Sequence, residues 1–141
     1  MIKYFYKNLP SNISFTDKIP ETERWLVEVC DSEKKQLIEL NVIFCSDSYL
    51  LKINKKHLQH DYLTDIITFD YCIDNQVIGD LFVSFDRVKA NADIFSQSFN
   101  DEMDRVIVHG VLHLCGYSDE TTSQKSQMKK LEDLYLSLRT Q

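Results

Sequence analysis

Residues 106–115 read Val-Ile-Val-His-Gly-Val-Leu-His-Leu-Cys, the most apolar stretch of the chain, and the sequence continues through Gly116 to Asp119. An α-helix brings residues i and i+4 to one face, so His109 and His113 can point at the same place. Because the stretch is apolar nearly all round, we expect a central helix that is buried on most sides. Glycine enters the left-handed region at low cost, so we expect Gly116 to end this helix and turn the chain back.

The spacing of two histidines, a glycine and an aspartate is typical of a metal site. Asp119 follows the expected turn by three residues, from where its carboxylate can reach both imidazoles. Two imidazoles and one carboxylate, with a fourth position open, form the ligand set of a catalytic zinc ion, and another divalent transition metal would accept the same ligands. The alternative is that His109 and His113 are hydrogen-bonded core residues, an interpretation that the fixed offsets disfavour. Cys115 faces away from this place on a helix and is rejected as a ligand.

Position 110 separates this motif from the helix of zinc peptidases, in which a glutamate after the first histidine is the general base. Gly110 has no side chain to act as a base, and glycine also lets another element approach the helix closely. Arg105 lies one turn before His109 on the same face. It could hold an anionic substrate beside the metal, or it could pair with Asp101 or Asp104, and the sequence leaves both interpretations open.

Composition describes an ordinary globular protein. The chain has 141 residues, 43% hydrophobic and 27% charged, which predicts one domain over residues 1–141. No apolar run approaches the roughly 20 residues of a membrane span, and the N-terminal segment is too short and too charged for a signal peptide, so we expect a cytoplasmic protein without a membrane partner. The four scattered cysteines favour a reduced compartment.

Charge gives little sign of a nucleic-acid surface. The net charge is −6, which argues mildly against an extended one but leaves room for a local basic groove. Lysines cluster at positions 52, 55 and 56 and again at 125, 129 and 130. We interpret both clusters as solvated helix faces.

Strand and helix patterns alternate without a regular βαβ repeat. This predicts an α+β fold, a small mixed β-sheet packed by helices with the two-histidine helix at the centre. Strands are expected at 2–6, 37–45, 66–72 and 77–83, the last two joined by a turn at 73–76, with loops through Pro10 and Ser11 and over 55–63. Helices are expected to start at Pro20, at Ser46 or Asp47, after Asp86, at Ser98 or Asn100, and at Thr121 or Thr122. The expected inward faces are Trp25, Leu26, Val29 and Cys30; Leu50, Leu51 and Ile53; Val88, Ala92 and Phe95; and Met128, Leu131, Leu134, Tyr135 and Leu138.

Residues 109–117, His-Gly-Val-Leu-His-Leu-Cys-Gly-Tyr, resemble the signature H-G-x-L-H-L-x-G-Y of the YbeY family of metal-dependent endoribonucleases. Residues 53–54, 63–69 and 79–84 resemble further elements of that family in the same order, so that the similarity spans about residues 40 to 120. The resemblance implies an endoribonuclease that matures the 3′ end of small-subunit (16S) rRNA and acts in ribosome quality control. Its implied partners are ribosomal RNA and the small ribosomal subunit. The acidic balance of the chain suggests that the ribosome, or a ribosome-associated protein, helps to recruit it to RNA.

Two positions depart from the family pattern. Asp119 stands where the family usually has a third histidine ligand, and carboxylate is an acceptable zinc ligand. Leu58 stands where the family tends to have an arginine linked to activity, for which Arg105, Lys55 or Lys56 could substitute.

The resemblance also places Thr64 and Asp65 at the start of a strand near the cleft. Asp65 is therefore a second candidate catalytic residue, in addition to Arg105. From the residues alone, a Thr-Asp pair before an apolar strand is equally a hydrogen-bonding turn device. Two rival functions remain: a zincin-like metallopeptidase that draws an acid from elsewhere in the fold, and a non-catalytic ribosome-binding module whose metal only staples the helix to the loop.

Overall fold

The computed structural model describes residues 1–10, 19–59 and 64–139. Strands and helices alternate irregularly, and the predicted α+β class is confirmed. The elements follow in the order β1 (Ile2–Lys7), α1 (Ile19–Ser32), β2 (Gln36–Cys45), α2 (Asp47–Leu58), β3 (Ile66–Asp70), β4 (Gln76–Ser84), α3 (Phe85–Ile94), α4 (Phe99–Leu114) and α5 (Thr122–Ser137).

The four strands form one mixed sheet in the order β1-β2-β4-β3. β1, β2 and β4 are parallel, whereas β3 runs antiparallel to β4 through the predicted turn, in which Asp74 has a φ of 54°. β3 ends at Asp70, two residues before the predicted Cys72. The carboxylate of Asp70 accepts the Cys72 backbone N–H at 2.8 Å, which removes that donor from the ladder.

Helix α4 is the central buried element that the sequence predicted. Nine of its residues are buried, and it packs on β3 and β4. A Cβ atom at Gly110 would lie 2.8 Å from side-chain carbons of both Ile66 and Leu81, so glycine is what allows the helix to approach the sheet. A glutamate at position 110 would project into the sheet.

Helices α1 and α5 complete the core around α4. The predicted α1 face is buried throughout, and the Trp25 indole donates to the Tyr135 carbonyl at 2.8 Å. On α5 the prediction was partly wrong: Met128 and Tyr135 are buried, but Leu134 and Leu138 are exposed. These two leucines sit on the outer side of the last turns of α5, where no described element covers them.

Two further predictions need correction. The segment 55–63 is not a loop throughout, because α2 continues to Leu58 and ends where Gln59 adopts a left-handed φ of 57°. The exposure of this last turn explains why it has no apolar period. Phe95 is not an inward residue of α3; it follows the helix as its C-cap and is 59% exposed. Ser11 and residues 60–63 lie outside the described residues.

The remaining helix starts follow the expected capping chemistry. Ser46, Ser98 and Thr121 are N-caps whose hydroxyl groups accept backbone N–H groups of the first turn. Within the described ranges, none of the helices combines the length and the apolar character that a bilayer crossing requires.

Candidate metal centre

A tight turn at the end of α4 brings the chain back to the two histidines. Gly116 has a φ of +109° and donates its N–H to the His113 carbonyl at 3.0 Å, while Tyr117 donates to the Leu112 carbonyl at 3.1 Å. These two hydrogen bonds define a Schellman motif, which requires a residue tolerant of positive φ at the glycine position. The turn therefore directs residues 117–119 along the open side of α4, as the sequence predicted.

Both imidazole rings are held by hydrogen bonds at Nδ1. His113 Nδ1 lies 2.8 Å from the Tyr117 carbonyl oxygen, and His109 Nδ1 lies 2.6 Å from Oε2 of Glu132. A carbonyl or carboxylate oxygen can only accept, so each ring donates from Nδ1 and leaves the Nε2 lone pair free. This is the arrangement that orients imidazole ligands in metal sites.

The two Nε2 atoms and the Asp119 carboxylate converge. The Nε2 atoms of His109 and His113 are 3.0 Å apart, and Asp119 oxygens lie 3.3 Å from the first and 3.6 Å from the second. Ligands of a tetrahedral zinc ion with bonds near 2.0–2.1 Å stand about 3.3 Å apart. Among the described residues, these three form the one His/Cys/Asp/Glu group with metal-site spacing. The residues present fit a small tetrahedral cation.

The electrostatics of His109 match this interpretation. Burial alone would lower its pKa, but the hydrogen bond to Glu132 and the charges of Glu132, Asp119 and Asp65 outweigh burial, so the pKa is raised. Carboxylates that stabilise a proton on this imidazole also stabilise a cation bound in its place. The centre is built to attract positive charge.

Glu132 is the functional residue that the sequence analysis missed. It lies on α5, is only 8% exposed, and also accepts from Arg105 at 3.0 Å. Lys, Glu, Arg and Asp are almost never fully buried unless they are paired. Glu132 stands four residues after Met128, on the apolar stripe of α5. An acidic residue on an apolar stripe is the sequence signal by which it could have been identified.

Arg105 is paired with carboxylates, but not with Asp101 or Asp104, which the sequence offered as one of two interpretations. It donates to Glu132 and to Asp133, the latter at 2.6 Å, because α5 lies alongside this face of α4. Asp101 and Asp104 instead accept from Arg139 at 3.1 and 2.7 Å. Arg105 also lines a cleft beside the metal centre, so it remains placed to meet an anion.

Two clefts meet at the metal centre, and His109 and Asp119 line both. One cleft, here called the basic cleft after its three cationic side chains, has a volume of about 520 Å³. It is lined by Arg105, Lys125 and Lys129 together with Phe95, Glu102 and Glu132. The other, here called the acidic cleft, has a volume of about 600 Å³ and carries Asp65, Asp70 and Glu120.

Asp65 lies in the acidic cleft but outside the three-ligand group. Burial raises the pKa of its carboxyl group, partly opposed by the nearby His109 and by backbone N–H donors at positions 65 and 66. Those backbone contacts, with the Thr64 hydroxyl donating to the Ile66 carbonyl at 3.4 Å, agree with a turn device. The structure is therefore compatible with both interpretations of the Thr-Asp pair, as a residue of the cleft and as a hydrogen-bonding turn.

Leu58 lines the acidic cleft, and it stands at the position where the family tends to have an arginine. Neither Lys55 nor Lys56 is among the described residues that line the two clefts at the metal centre. Lys56 lines a separate groove together with Lys52 and His57. Of the three proposed substitutes for the arginine, only Arg105 lies beside the centre.

The turn that carries Asp119 is fastened to the end of α1. The Tyr117 hydroxyl donates to Glu33 at 2.6 Å, and the Tyr135 hydroxyl donates to the other oxygen of the same carboxylate. The hydrogen bond to Glu33, together with burial, raises the pKa of Tyr117 to about 12. One carboxylate thereby joins α1, the turn and α5.

Two imidazoles and a carboxylate converge beside two clefts on an α+β fold. This combination is typical of metal-dependent hydrolases. The family model described as "Endoribonuclease YbeY" matches residues 7–139. The chain is 50% identical over 120 residues to the Endoribonuclease YbeY of Cytophaga hutchinsonii, covering 84% of each chain. It is 46% identical over 136 residues to that of Flavobacterium johnsoniae, covering 94% of this chain and 93% of the relative. The chain belongs to the YbeY endoribonuclease family.

A solved structure agrees with this fold. The solution structure of a Thermotoga maritima protein matches with a TM-score of 0.67 and 25% identity, covering 97% of this chain and 87% of that one.

Proposed function

We propose that this chain is a zinc-dependent endoribonuclease that matures the 3′ end of small-subunit rRNA and acts in ribosome quality control. The observation that carries the proposal is the convergence of His109, His113 and Asp119 within the distances of a tetrahedral site, in a chain of the endoribonuclease family. A bound zinc ion supplies Lewis acidity, which activates water and polarises a phosphoryl oxygen.

The chain's own residues prepare the centre for a phosphodiester. His109 and His113 present Nε2 because Glu132 and the Tyr117 carbonyl hold their Nδ1 atoms. Among the described residues, three side chains converge here, and the centre adjoins both clefts. Arg105, held by two carboxylates at one wall, offers guanidinium charge to an incoming phosphate.

Asp65 is the proposed proton acceptor. It lines the acidic cleft, whereas Arg105 lines the basic cleft, and it lies outside the three-ligand group. Burial raises the pKa of the Asp65 carboxyl group above its usual value, which makes it a better proton acceptor than an ordinary carboxylate. Asp65→Asn should lower RNA cleavage while leaving the metal content unchanged.

The zinc-dependent nuclease is tested by incubating purified, zinc-loaded protein with a small-subunit rRNA fragment. His113→Ala, purified in parallel, should lose both the metal and the cleavage. His57→Ala is the matched control, because His57 lies in a separate groove against Phe69 and should retain both properties. Equal cleavage by wild type and His113→Ala would mean that the activity belongs to a contaminant and would refute the proposal.

Two rivals are distinguished by the same preparations. A metallopeptidase would turn over peptides in the presence of competing RNA; the side of α4 at Gly110 faces the sheet, so any base would have to come from another element. A non-catalytic, metal-stapled module would lose melting temperature in His113→Ala with no activity to lose. No observation among the described residues favours either rival over the nuclease.

The remaining assignments belong to the same proposal. The chain would act as one domain over residues 1–141, in the cytoplasm, on rRNA within the small ribosomal subunit. With a net charge of −6, it would depend on the ribosome or on a ribosome-associated protein for recruitment. Co-sedimentation with isolated small subunits, with and without the other ribosome-associated proteins, measures this dependence.

A further inference from the structure

Glu33 follows the last residue of α1, at a helix end with a defined geometry. Lys34 adopts a left-handed φ of 59° and donates its N–H to the Asp31 carbonyl at 3.0 Å. Lys35 donates to the Cys30 carbonyl at 2.8 Å, and the two hydrogen bonds together form a Schellman motif that fixes the Glu33 backbone. A carboxylate at the negative end of a helix dipole does not stabilise the helix, so the acid at this position has another cause.

The Glu33 carboxylate accepts two tyrosine hydroxyl groups from distant parts of the chain. One oxygen accepts from Tyr117 at 2.6 Å, and the other accepts from Tyr135. Both oxygens are therefore engaged, and hydrogen bonds to a charged acceptor are stronger than those to a neutral one. Tyr117 lies on the turn after α4 and Tyr135 lies on α5, so one side chain fixes both elements relative to α1.

The contact with Tyr117 leads to His113 and Asp119. The Tyr117 carbonyl oxygen lies 2.8 Å from His113 Nδ1, and Asp119 follows two residues later. Because the hydroxyl and the carbonyl belong to one residue, holding the first restricts the second. Glu33 thereby restrains the turn that orients one expected ligand and carries another.

The contact with Tyr135 leads to His109. Tyr135 is 4% exposed and stands three residues after Glu132, so both side chains lie on neighbouring parts of one face of α5. The Tyr135 hydroxyl fixes α5 against α1, and Glu132 on the same helix lies 2.6 Å from His109 Nδ1. A shift or rotation of α5 would change that distance, because His109 belongs to a different helix.

We propose that Glu33 is a positioning residue of the metal centre, which holds the Nδ1 partners of both histidine ligands in place through Tyr117 and Tyr135. Its carboxylate lies outside the three convergent ligands, so its effect on the metal passes through the two tyrosines. The role rests on the proposed zinc centre and deepens it by naming what keeps the ligands at metal-binding geometry. Ligands that are held before the ion arrives lose less conformational freedom on binding, so the support acts on zinc affinity.

Zinc affinity, measured by competition with a chromophoric chelator at fixed pH, is the first readout. Glu33→Ala removes both accepting oxygens and should weaken zinc binding about 10-fold or more, the loss typical of removing outer hydrogen bonds around metal ligands. Tyr117→Phe and Tyr135→Phe each remove one hydroxyl group while the carboxylate and the ring remain, and each should lose part of this affinity. Glu33→Gln keeps one accepting oxygen and should lie between Glu33→Ala and the wild type.

The imidazole Nδ1–H protons of the zinc-loaded protein report on the two contacts separately. Each proton is held in a hydrogen bond, which slows its exchange with water, and proton–nitrogen correlation NMR measures the exchange rate. Tyr117→Phe should accelerate exchange at His113 and leave His109 unchanged, and Tyr135→Phe should do the reverse. Glu33→Ala should accelerate both, a pattern that a general loss of stability would not produce.

Two control variants on α1 separate positioning from stability and from charge. Val29→Ala removes buried packing one turn before Glu33, and it should lower the melting temperature while zinc affinity and both exchange rates stay unchanged. Glu28→Gln removes one negative charge from an exposed position on the same helix and should keep all three measurements at wild-type values. Every measurement is made at a temperature at which circular dichroism shows the variant to be folded. The two phenylalanine variants, which keep the core filled, decide the test if Glu33→Ala does not fold.

The outcomes separate the positioning role from the nuclease. Wild-type zinc affinity in both tyrosine variants, with only the melting temperature lowered, would overturn the positioning role and leave the nuclease. An equal loss of affinity in Val29→Ala would also overturn it, because loosening of the core would then explain the effect. Selective losses in a protein that cleaves no rRNA would support the positioning role and overturn the nuclease. A wild-type protein that binds no zinc would overturn both.

Discussion

Replacing Glu132 by glutamine should weaken metal binding although Glu132 is not a ligand. Its carboxylate lies 2.6 Å from His109 Nδ1 and is 8% exposed, so the contact is a short, charge-assisted hydrogen bond shielded from solvent. Glutamine keeps the size and an accepting oxygen but loses the charge, and a neutral hydrogen bond is about half as strong. Changes of this kind around a metal ligand cost about 10-fold to 100-fold in affinity, or about 1.4–2.8 kcal/mol.

The assay is competition for zinc against a chromophoric chelator at fixed pH. Asp133→Asn is the control. Asp133 accepts a hydrogen bond from Arg105 at 2.6 Å, as Glu132 also does, but it is not hydrogen-bonded to His109. It should bind zinc as the wild type does. Wild-type affinity in Glu132→Gln, or an equal loss in Asp133→Asn, would refute the inference that the carboxylate acts through the His109 ring.

Three further predictions concern the centre and its helix. Asp119→Ala should lose the metal and Asp119→His should keep it, by elemental analysis; a metal-free histidine variant would mean that the turn does not reach the site. Burial raises the folded-state pKa of Asp65 above its usual value of 3.8. The ionised carboxylate therefore destabilises the folded protein at a pH above the folded-state pKa, and this cost disappears at a pH below 3.8, where the group is protonated in both states. Asp65→Asn should therefore raise the melting temperature of metal-free protein at pH 7, with the gain vanishing toward pH 4; a gain independent of pH would contradict this. Gly110→Glu should unfold the protein rather than create a peptidase, because the new carboxylate would be buried against Leu81; a folded variant by circular dichroism would contradict it.

The sequence predicted those features that depend on local spacing. The i, i+4 histidines, the glycine turn and the acid three residues later all lie within one short segment, so their geometry follows from helix periodicity and the conformational freedom of Gly116. Serine and threonine caps were predictable for the same reason. The mixed sheet was predictable as a class, because its strand and helix patterns alternate irregularly.

The sequence could not supply features that depend on how distant elements pack. Glu132 reaches His109 only because α5 lies against α4, a contact between residues 23 positions apart. The same packing gives Arg105 partners on α5 instead of its helical neighbours, and it turns Lys125 and Lys129 toward the cleft. Leu138 and Phe95 fit an apolar period but end their elements beyond the core, so periodicity alone misassigned them.

Glu132 connects the metal ligand to the wall of the basic cleft. One carboxylate oxygen holds His109, and the other holds Arg105. A phosphate that drew the guanidinium away from Glu132 would leave the full carboxylate charge on the His109 ring, which strengthens that imidazole as a ligand. RNA bound at Arg105 and the cation in the centre would then stabilise one another, and by linkage the coupling must be reciprocal. Zinc should therefore bind RNA-saturated protein more tightly than free protein, and Glu132→Gln should abolish the difference; an equal difference in that variant would locate the coupling elsewhere.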